Sequence, residues 1–211
     1  IGTTFFSKKR KEAIDSLIKN KNDLAILDDG FQDLTIKKNL SIVCFNQKQW
    51  IGNGFVIPSG PLREKLSALK RAHCVFINGN TDSRIEKEIS KVNKFIPIYY
   101  SKYKPIDIDK FKNKRIIAFS GIGNPSNFYD LLRENNLVLI KVFTYPDHYH
   151  FTKKDLDTLI DEAKLLGAIP VTTEKDYFRI DDNYKKSIEF IKVELEIKNK
   201  AKFIELIKKK I

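Results

Sequence analysis

Two adjacent aspartates, Asp28 and Asp29, end the apolar run Leu24-Ala25-Ile26-Leu27 and are followed by Gly30-Phe31-Gln32. An apolar strand that delivers carboxylates to the carboxyl edge of a sheet puts them where open α/β proteins bind ligands. In P-loop enzymes an aspartate so placed holds Mg²⁺ against the nucleotide phosphates. Adjacent carboxylates in a confined site repel, so a cation or basic partner is expected beside them. The plain alternative is a strand ending in a turn, for which Asp-Gly is a common pair. The unit that should accompany the aspartates is a strand-GxxxxGK[ST]-helix whose N–H groups and lysine cradle phosphates. No segment of the chain matches it.

Four further stretches carry chemistry. In Gly52-Asn53-Gly54 and Pro58-Ser59-Gly60-Pro61-Leu62-Arg63-Glu64, glycines permit close backbone approach and prolines stiffen the loop. Arg63 is a candidate to clamp a phosphate bidentately, or to pair with Glu64 or another acid; Asn53 is counted with it as a phosphate or substrate contact. Gly121-Ile122-Gly123-Asn124-Pro125 sits at a strand-to-helix junction and offers N–H groups to an anion, or simply a tight turn. Asp147-His148 lies in Tyr145 to Phe151, where an imidazole can accept or orient a hydroxyl proton. A metal pair at His148 and His150 lacks an obvious third ligand. Thr172-Thr173-Glu174-Lys175-Asp176, with Arg179 beyond, reads as a salt-bridged turn.

The elements that must position these groups alternate. Ala13, Ile14, Leu17 and Ile18 share a helical face, and Leu24–Leu27 and Leu40–Phe45 read as strands. His73 to Asn78 reads as a strand, then Ser83 with Glu86 as a capping box for a helix with Ile85, Ile89 and Val92 inward. Phe95 to Tyr100 is extended, and the polar Ser101 to Asn113 is expected to be a linker or long loop. Strands follow at Arg115–Ser120, Leu137–Phe143 and Ala168–Thr172. Helices start near Ser126 and after Thr152, the latter capped with Asp155 and closed by Gly167. This order predicts an α/β fold with doubly wound, mainly parallel sheets.

The 39 basic and 27 acidic residues leave a net charge of +12. The surplus suits an anionic surface or substrate, or reflects a lysine-rich composition. The arginine-and-aromatic spacing of an RNA-binding sheet is absent, and no nucleic-acid partner is expected. Cys44 and Cys74 lie in apolar runs without metal-ligand spacing and are expected to be core thiols. No run approaches the roughly 18 apolar residues that span a bilayer. The chain holds no methionine and opens Ile1-Gly2-Thr3-Thr4-Phe5-Phe6, which reads as the inside of a domain. The expectation is an N-terminally incomplete chain.

Taken in order, Asp28 to Gln32, Gly52-Asn53-Gly54 with Pro58 to Glu64, Gly121 to Pro125, Asp147-His148 and Thr173 to Asp176 resemble the motifs of the lipid A 4'-kinase (tetraacyldisaccharide 4'-kinase) family. Arg10 sits where that family carries an arginine ahead of the Asp-Asp strand. The chain departs from the pattern at Asp33, where the family usually has His, and at Lys38-Asn39, where it usually has Arg-Asp. The resemblance implies transfer of the ATP γ-phosphate to the 4'-hydroxyl of a tetraacylated glucosamine disaccharide 1-phosphate, the lipid A disaccharide precursor. It implies ATP and Mg²⁺ as cofactors and work at the cytoplasmic face of the bacterial inner membrane. It implies two α/β lobes with the active site between them, residues 1–65 being the remnant of the P-loop-type lobe and residues 66–211 the second lobe. A preceding segment would carry the membrane-associating part, the P-loop and an acid acting with the histidine. By match, Asp28 and Asp29 are the metal-binding and catalytic pair, Gln32 is a neighbour of the site and His148 is part of the catalytic dyad. Without its P-loop this chain alone is expected to be inactive. Two other readings stand beside this one: a non-catalytic anion- or lipid-binding module, and a sugar-nucleotide-dependent transferase.

Overall fold

The computed structural model describes residue 4 and residues 7–211. The opening Ile1-Gly2-Thr3 and Phe5-Phe6 lie outside the described residues. The chain forms two compact units, Ile1–Lys102 with Ile197–Ile211, and Tyr103–Glu196. Residue 65, the boundary expected from sequence, falls inside the first unit.

In the first unit, β1 (Ile42–Asn46), β2 (Cys74–Asn78) and β3 (Ile98–Ile106) pair in parallel, Val75 lying opposite Val43 and Ile98. The apolar residues of β2 alternate between two layers, as side chains on a pleated strand must. Val75 and Ile77 pack with Ile85 and Ile89 of α2 (Ser83–Val92). Cys74 and Phe76 pack with Phe203 and Leu206 of α6 (Lys200–Lys210).

The second unit repeats this logic. Its strands run in the order β7 (Glu189–Ile197), β6 (Ile169–Thr173), β4 (Arg115–Ser120), β5 (Val138–Thr144), with β6, β4 and β5 joined by parallel ladders. Ile116 and Ala118 of β4 face Phe128, Tyr129 and Leu132 of α3 (Pro125–Glu134). Ile117 and Phe119 face Leu156, Leu159 and Ala163 of α4 (Lys153–Leu165). The sheet is thus wound on both faces, and the expected α/β, mainly parallel architecture is what the chain adopts. From β4 the chain passes to β5 on one side and then to β6 on the other. The carboxyl ends of these strands form a topological switch point, where such sheets bind ligands.

Several local expectations need correction. Leu24–Leu27 is not a strand: Leu24 is 53% and Ile26 86% exposed. A strand is made by its neighbour's hydrogen bonds, and none of the described strands pairs with this run. The cap of α2 is Asp82, whose carboxylate accepts the N–H groups of Arg84 at 2.9 Å and Ile85 at 3.5 Å. Ser83 is already helical, and Glu86 accepts the Tyr100 hydroxyl at 2.8 Å instead of closing a box. Much of the presumed linker is ordered, since β3 extends to Ile106 and a 3₁₀ turn at Ile108–Phe111 buries Phe111. Cys44 is exposed, because β1 is an edge strand, and only Cys74 is a core thiol. The Thr152–Asp155 box and the Gly167 terminus of α4 form as expected, with Gly167 at φ 56°.

Candidate functional site

In the first unit the Asp28-Asp29 turn is held by two arginines, Arg10 and Arg63. Arg10, on α1 (Arg10–Lys19), donates to the carbonyls of Asp28 at 3.4 Å and Asp29 at 3.1 Å and pairs with Asp33 at 3.5 Å. Asp33 takes two further bonds from Thr35, and the Thr35 hydroxyl, more than Arg10, holds its carboxyl below the usual range. Arg63 forms an ion pair with the Asp29 carboxylate. The expected basic partner of the aspartates is therefore Arg63, while Glu64 pairs with Arg71, whose guanidinium lies 4.3 Å from the Phe31 ring centroid. The Asp28 carboxylate is exposed and has no hydrogen-bond or ion-pair partner among the described residues, and Gln32 is exposed beside it.

Asn53 is spent on its own loop. Its amide donates to the Ser59 carbonyl at 2.8 Å and accepts the Phe55 N–H at 3.1 Å. Gly60 fits under it because a Cβ there would lie 2.2 Å from Asn53 Oδ1 and 2.4 Å from the Phe55 carbonyl oxygen. The loop presents Arg63 to Asp29; Asn53 braces it.

In the second unit, three of the motif stretches meet at the carboxyl ends of β4, β5 and β6. Asp147-His148 follows β5 in a turn anchored by aromatic packing on both sides. Tyr145 and Tyr149 stack at 4.8 Å, each packs edge-on against Phe151, and the Tyr149 hydroxyl donates to Asp155 at 3.1 Å. Burial pushes the Tyr145 phenol up to about 12, so it stays protonated. His148 takes a left-handed conformation, φ 59°, and its N–H donates to the Gly121 carbonyl at 3.0 Å and to Asp147 Oδ1 at 2.9 Å. Its imidazole is exposed, with Nε2 3.5 Å from Lys175 Nζ and 3.9 Å from Asp147 Oδ2. An imidazole beside a carboxylate and an ammonium, open to solvent, is placed to accept or orient a hydroxyl proton next to an anionic group. Gly121 admits this turn closely, since a Cβ there would lie 3.1 Å from Tyr149 Cβ.

Beneath the surface lies Asp176, fully buried, in α5 (Glu174–Tyr177). It accepts the Gly121 N–H at 3.0 Å, the Thr173 hydroxyl at 2.8 Å and Arg179 Nη2 at 2.7 Å. Arg179 Nη1 is buried without a partner among the described residues, an omission that costs about 1–3 kcal/mol. Read from sequence as a salt-bridged turn, this stretch is one, but it is tied to a residue 55 positions away. Thr173, three residues ahead of Asp176, was the available signal: it caps α5 and turns that carboxylate inward. His73 belongs to the first unit: its Nδ1 accepts the Ser41 N–H at 2.9 Å, and burial first, then Lys210, lowers its pKa. No group of three or more His, Cys, Asp or Glu suited to a metal occurs among the described residues, so the His148–His150 pair gains no third ligand.

With the geometry in view, comparison with known proteins gives one answer. The chain is 45% identical over 199 residues to a tetraacyldisaccharide 4'-kinase of Pelagibacter ubique, covering 93% of this chain and 63% of that protein. It is 36% identical to the tetraacyldisaccharide 4'-kinase of Rickettsia bellii, covering 99% of this chain and 64% of that protein. It spans less than two thirds of the length of these relatives. Its fold matches the crystal structure of LpxK from Aquifex aeolicus in complex with ATP, with a TM-score of 0.66 at 23% identity, over 95% of this chain and 61% of that one. The family model for tetraacyldisaccharide-1-P 4'-kinase matches residues 2–211, and the chain belongs to that family.

Proposed function

We propose that this chain is the carboxy-terminal part of a kinase that transfers the ATP γ-phosphoryl group to the 4'-hydroxyl of a tetraacylated glucosamine disaccharide 1-phosphate. The observation that carries this reading is the family match, which runs through the whole chain and takes in all five motif stretches. Residues 1–65 would continue a P-loop-type nucleotide lobe and residues 66–211 a second lobe.

In this reading His148 accepts the proton of the attacking hydroxyl, or orients the group that does, and Asp147 and Lys175 fix its surroundings. Asp28 and Asp29 suit Mg²⁺, a hard cation usually held by one or two carboxylates together with phosphate oxygens. When bound, Mg²⁺ would neutralise charge on those oxygens. Asp28, with an unpartnered carboxylate, is the better ligand, and Asp29 is balanced by Arg63. Arg63 and Gln32 are the phosphate contacts, and Asn53 acts by holding the loop of Arg63. No described helix is long and apolar enough to cross a membrane. Attachment to the cytoplasmic face of the inner membrane would draw on the net charge of +12, each well-placed Lys or Arg contributing about 1 kcal/mol near an anionic surface.

The test is phosphate transfer from γ-labelled ATP to the lipid disaccharide, by the product of the whole gene and by the 211-residue chain. Transfer is expected from the former and none from the latter, which contains no GxxxxGK[ST] sequence. Activity in the short chain, or none in a folded whole protein that carries a P-loop, would refute the reading.

A further inference from the structure

The loops after β4, β5 and β6 converge on the backbone of one residue, Gly121. Its N–H donates to buried Asp176 at 3.0 Å. Its carbonyl accepts the His148 N–H at 3.0 Å and Arg179 Nη2 at 3.3 Å. The same Nη2 lies 2.7 Å from Asp176 Oδ1, while Nε donates to the Lys175 carbonyl at 3.3 Å. One guanidinium thus bonds the peptide that carries His148 and the backbone that carries Lys175. Above it, the His148 and Lys175 side chains end 3.5 Å apart.

From this network we infer that Arg179, seated on Asp176, is a positioning residue that sets the His148–Lys175 pair. Two features separate this role from plain charge pairing. Neutralising Asp176 needs only a point charge, which a lysine supplies, whereas a planar fork is needed to reach the Gly121 and Lys175 carbonyls together. The fork is also kept although it leaves Nη1 buried and unpartnered. His148, for its part, needs external support, because a non-glycine residue at φ 59° is strained. The Gly121 carbonyl that supports it is fixed by Arg179. The functional meaning of the inference rests on His148 acting as proposed above; the geometry does not.

The test is Arg179→Lys in the 211-residue chain, followed by NMR, where three histidines give an assignable imidazole spectrum. The charge on Asp176 is retained, so amides in β4 and β6 should keep their protection. The His148 amide should exchange about tenfold faster on losing its fixed acceptor, and the proton contacts between the His148 ring and the Lys175 side chain should disappear. If Arg179→Lys fails to fold, Gly121→Ala disturbs the same turn with Arg179 intact, its Cβ falling 3.1 Å from Tyr149 Cβ and 3.2 Å from the Pro146 carbonyl oxygen. It should shift the His148 amide and ring signals first. Unchanged His148 exchange and ring contacts in the folded variant overturn the inference, whatever the kinase assay shows. In the whole enzyme Arg179→Lys should lower kcat by about tenfold or more with KM for ATP unchanged. A loss of thermal stability with kcat intact would reduce Arg179 to a structural role.

Discussion

Asp28 and Asp29 are neighbours in sequence with different surroundings. Asp29 is bent into the left-handed region at φ 51° and paired with Arg63, whereas Asp28 keeps a free, exposed carboxylate. Both Asp28→Asn and Asp29→Asn should lower turnover of the whole enzyme by roughly 10²-fold, but with different signatures. Asp28→Asn should raise the Mg²⁺ concentration needed for half-maximal rate. Asp29→Asn, which frees Arg63, should mainly change KM for ATP. A Mg²⁺ titration of both variants checks this, and equal shifts would assign the metal to both. The cysteines offer a second contrast. Burial, with Cys44 adding to it, pushes the Cys74 thiol up to about 12; burial also raises the Cys44 thiol, but Cys44 is exposed on the edge strand, and that access decides which thiol a reagent reaches. A maleimide at pH 8 should label Cys44 alone until the chain unfolds, as peptide mass spectrometry would show. The type of each residue was legible in the sequence; its partner was not. Arg63 was expected to meet a phosphate or an acid, but that the acid is Asp29, and not adjacent Glu64, depends on how a loop 34 residues later returns.

Elements were legible where their signal is local. The Thr152 box needs residues only three apart, and it formed as expected. Its carboxylate makes a pH prediction. The Thr152 hydroxyl is the largest influence and holds the Asp155 pKa below its ordinary value; burial opposes it, and the Thr152 N–H and the Tyr149 hydroxyl add to the lowering. A depressed folded-state pKa stabilises the fold above the unfolded value, about 3.9, and that stability is lost as pH falls through the folded value. Asp155→Asn should therefore destabilise the chain by about 1 kcal/mol at pH 7. The gap from wild type should hold down to about pH 5 and close below pH 4. Urea unfolding at pH 7, 5 and 3.5 reads it, and a pH-independent gap would contradict the assignment. The misread elements depended on distant partners. Ser83 lost its cap to a carboxylate one residue earlier, and the polar Lys102-Tyr103-Lys104 concealed a strand whose exposed middle looks like a loop.

Across the whole molecule stability is unevenly distributed. Each unit buries apolar layers on both faces of its strands, with Val75, Ile77, Ile89, Ile116, Ile117 and Phe119 fully buried. Between residues 7 and 40 only Gly30 is buried, and α1 buries none of its residues. Segments with few buried contacts open at low free-energy cost, while core strands open only on global unfolding. In the 211-residue chain, amide exchange should be fastest across residues 10–38 and slowest in β2 and β4. The apolar run Leu24–Leu27 sharpens the test. Its composition suits a buried strand, yet Ile26 is 86% exposed, and the chain spans 63% of its Pelagibacter ubique relative. If the run is a strand of the nucleotide lobe, its pairing partner lies outside these residues. In the whole gene product the amides of Leu24 to Leu27 should then become protected by 10²-fold or more over the short chain, on the order of one strand's hydrogen bonds and apolar burial. Amides in β2 and β4 should stay as they are. Equal fast exchange in both proteins would make this stretch a surface loop in the complete enzyme, and the aspartates after it would lose the strand end proposed to aim them at Mg²⁺.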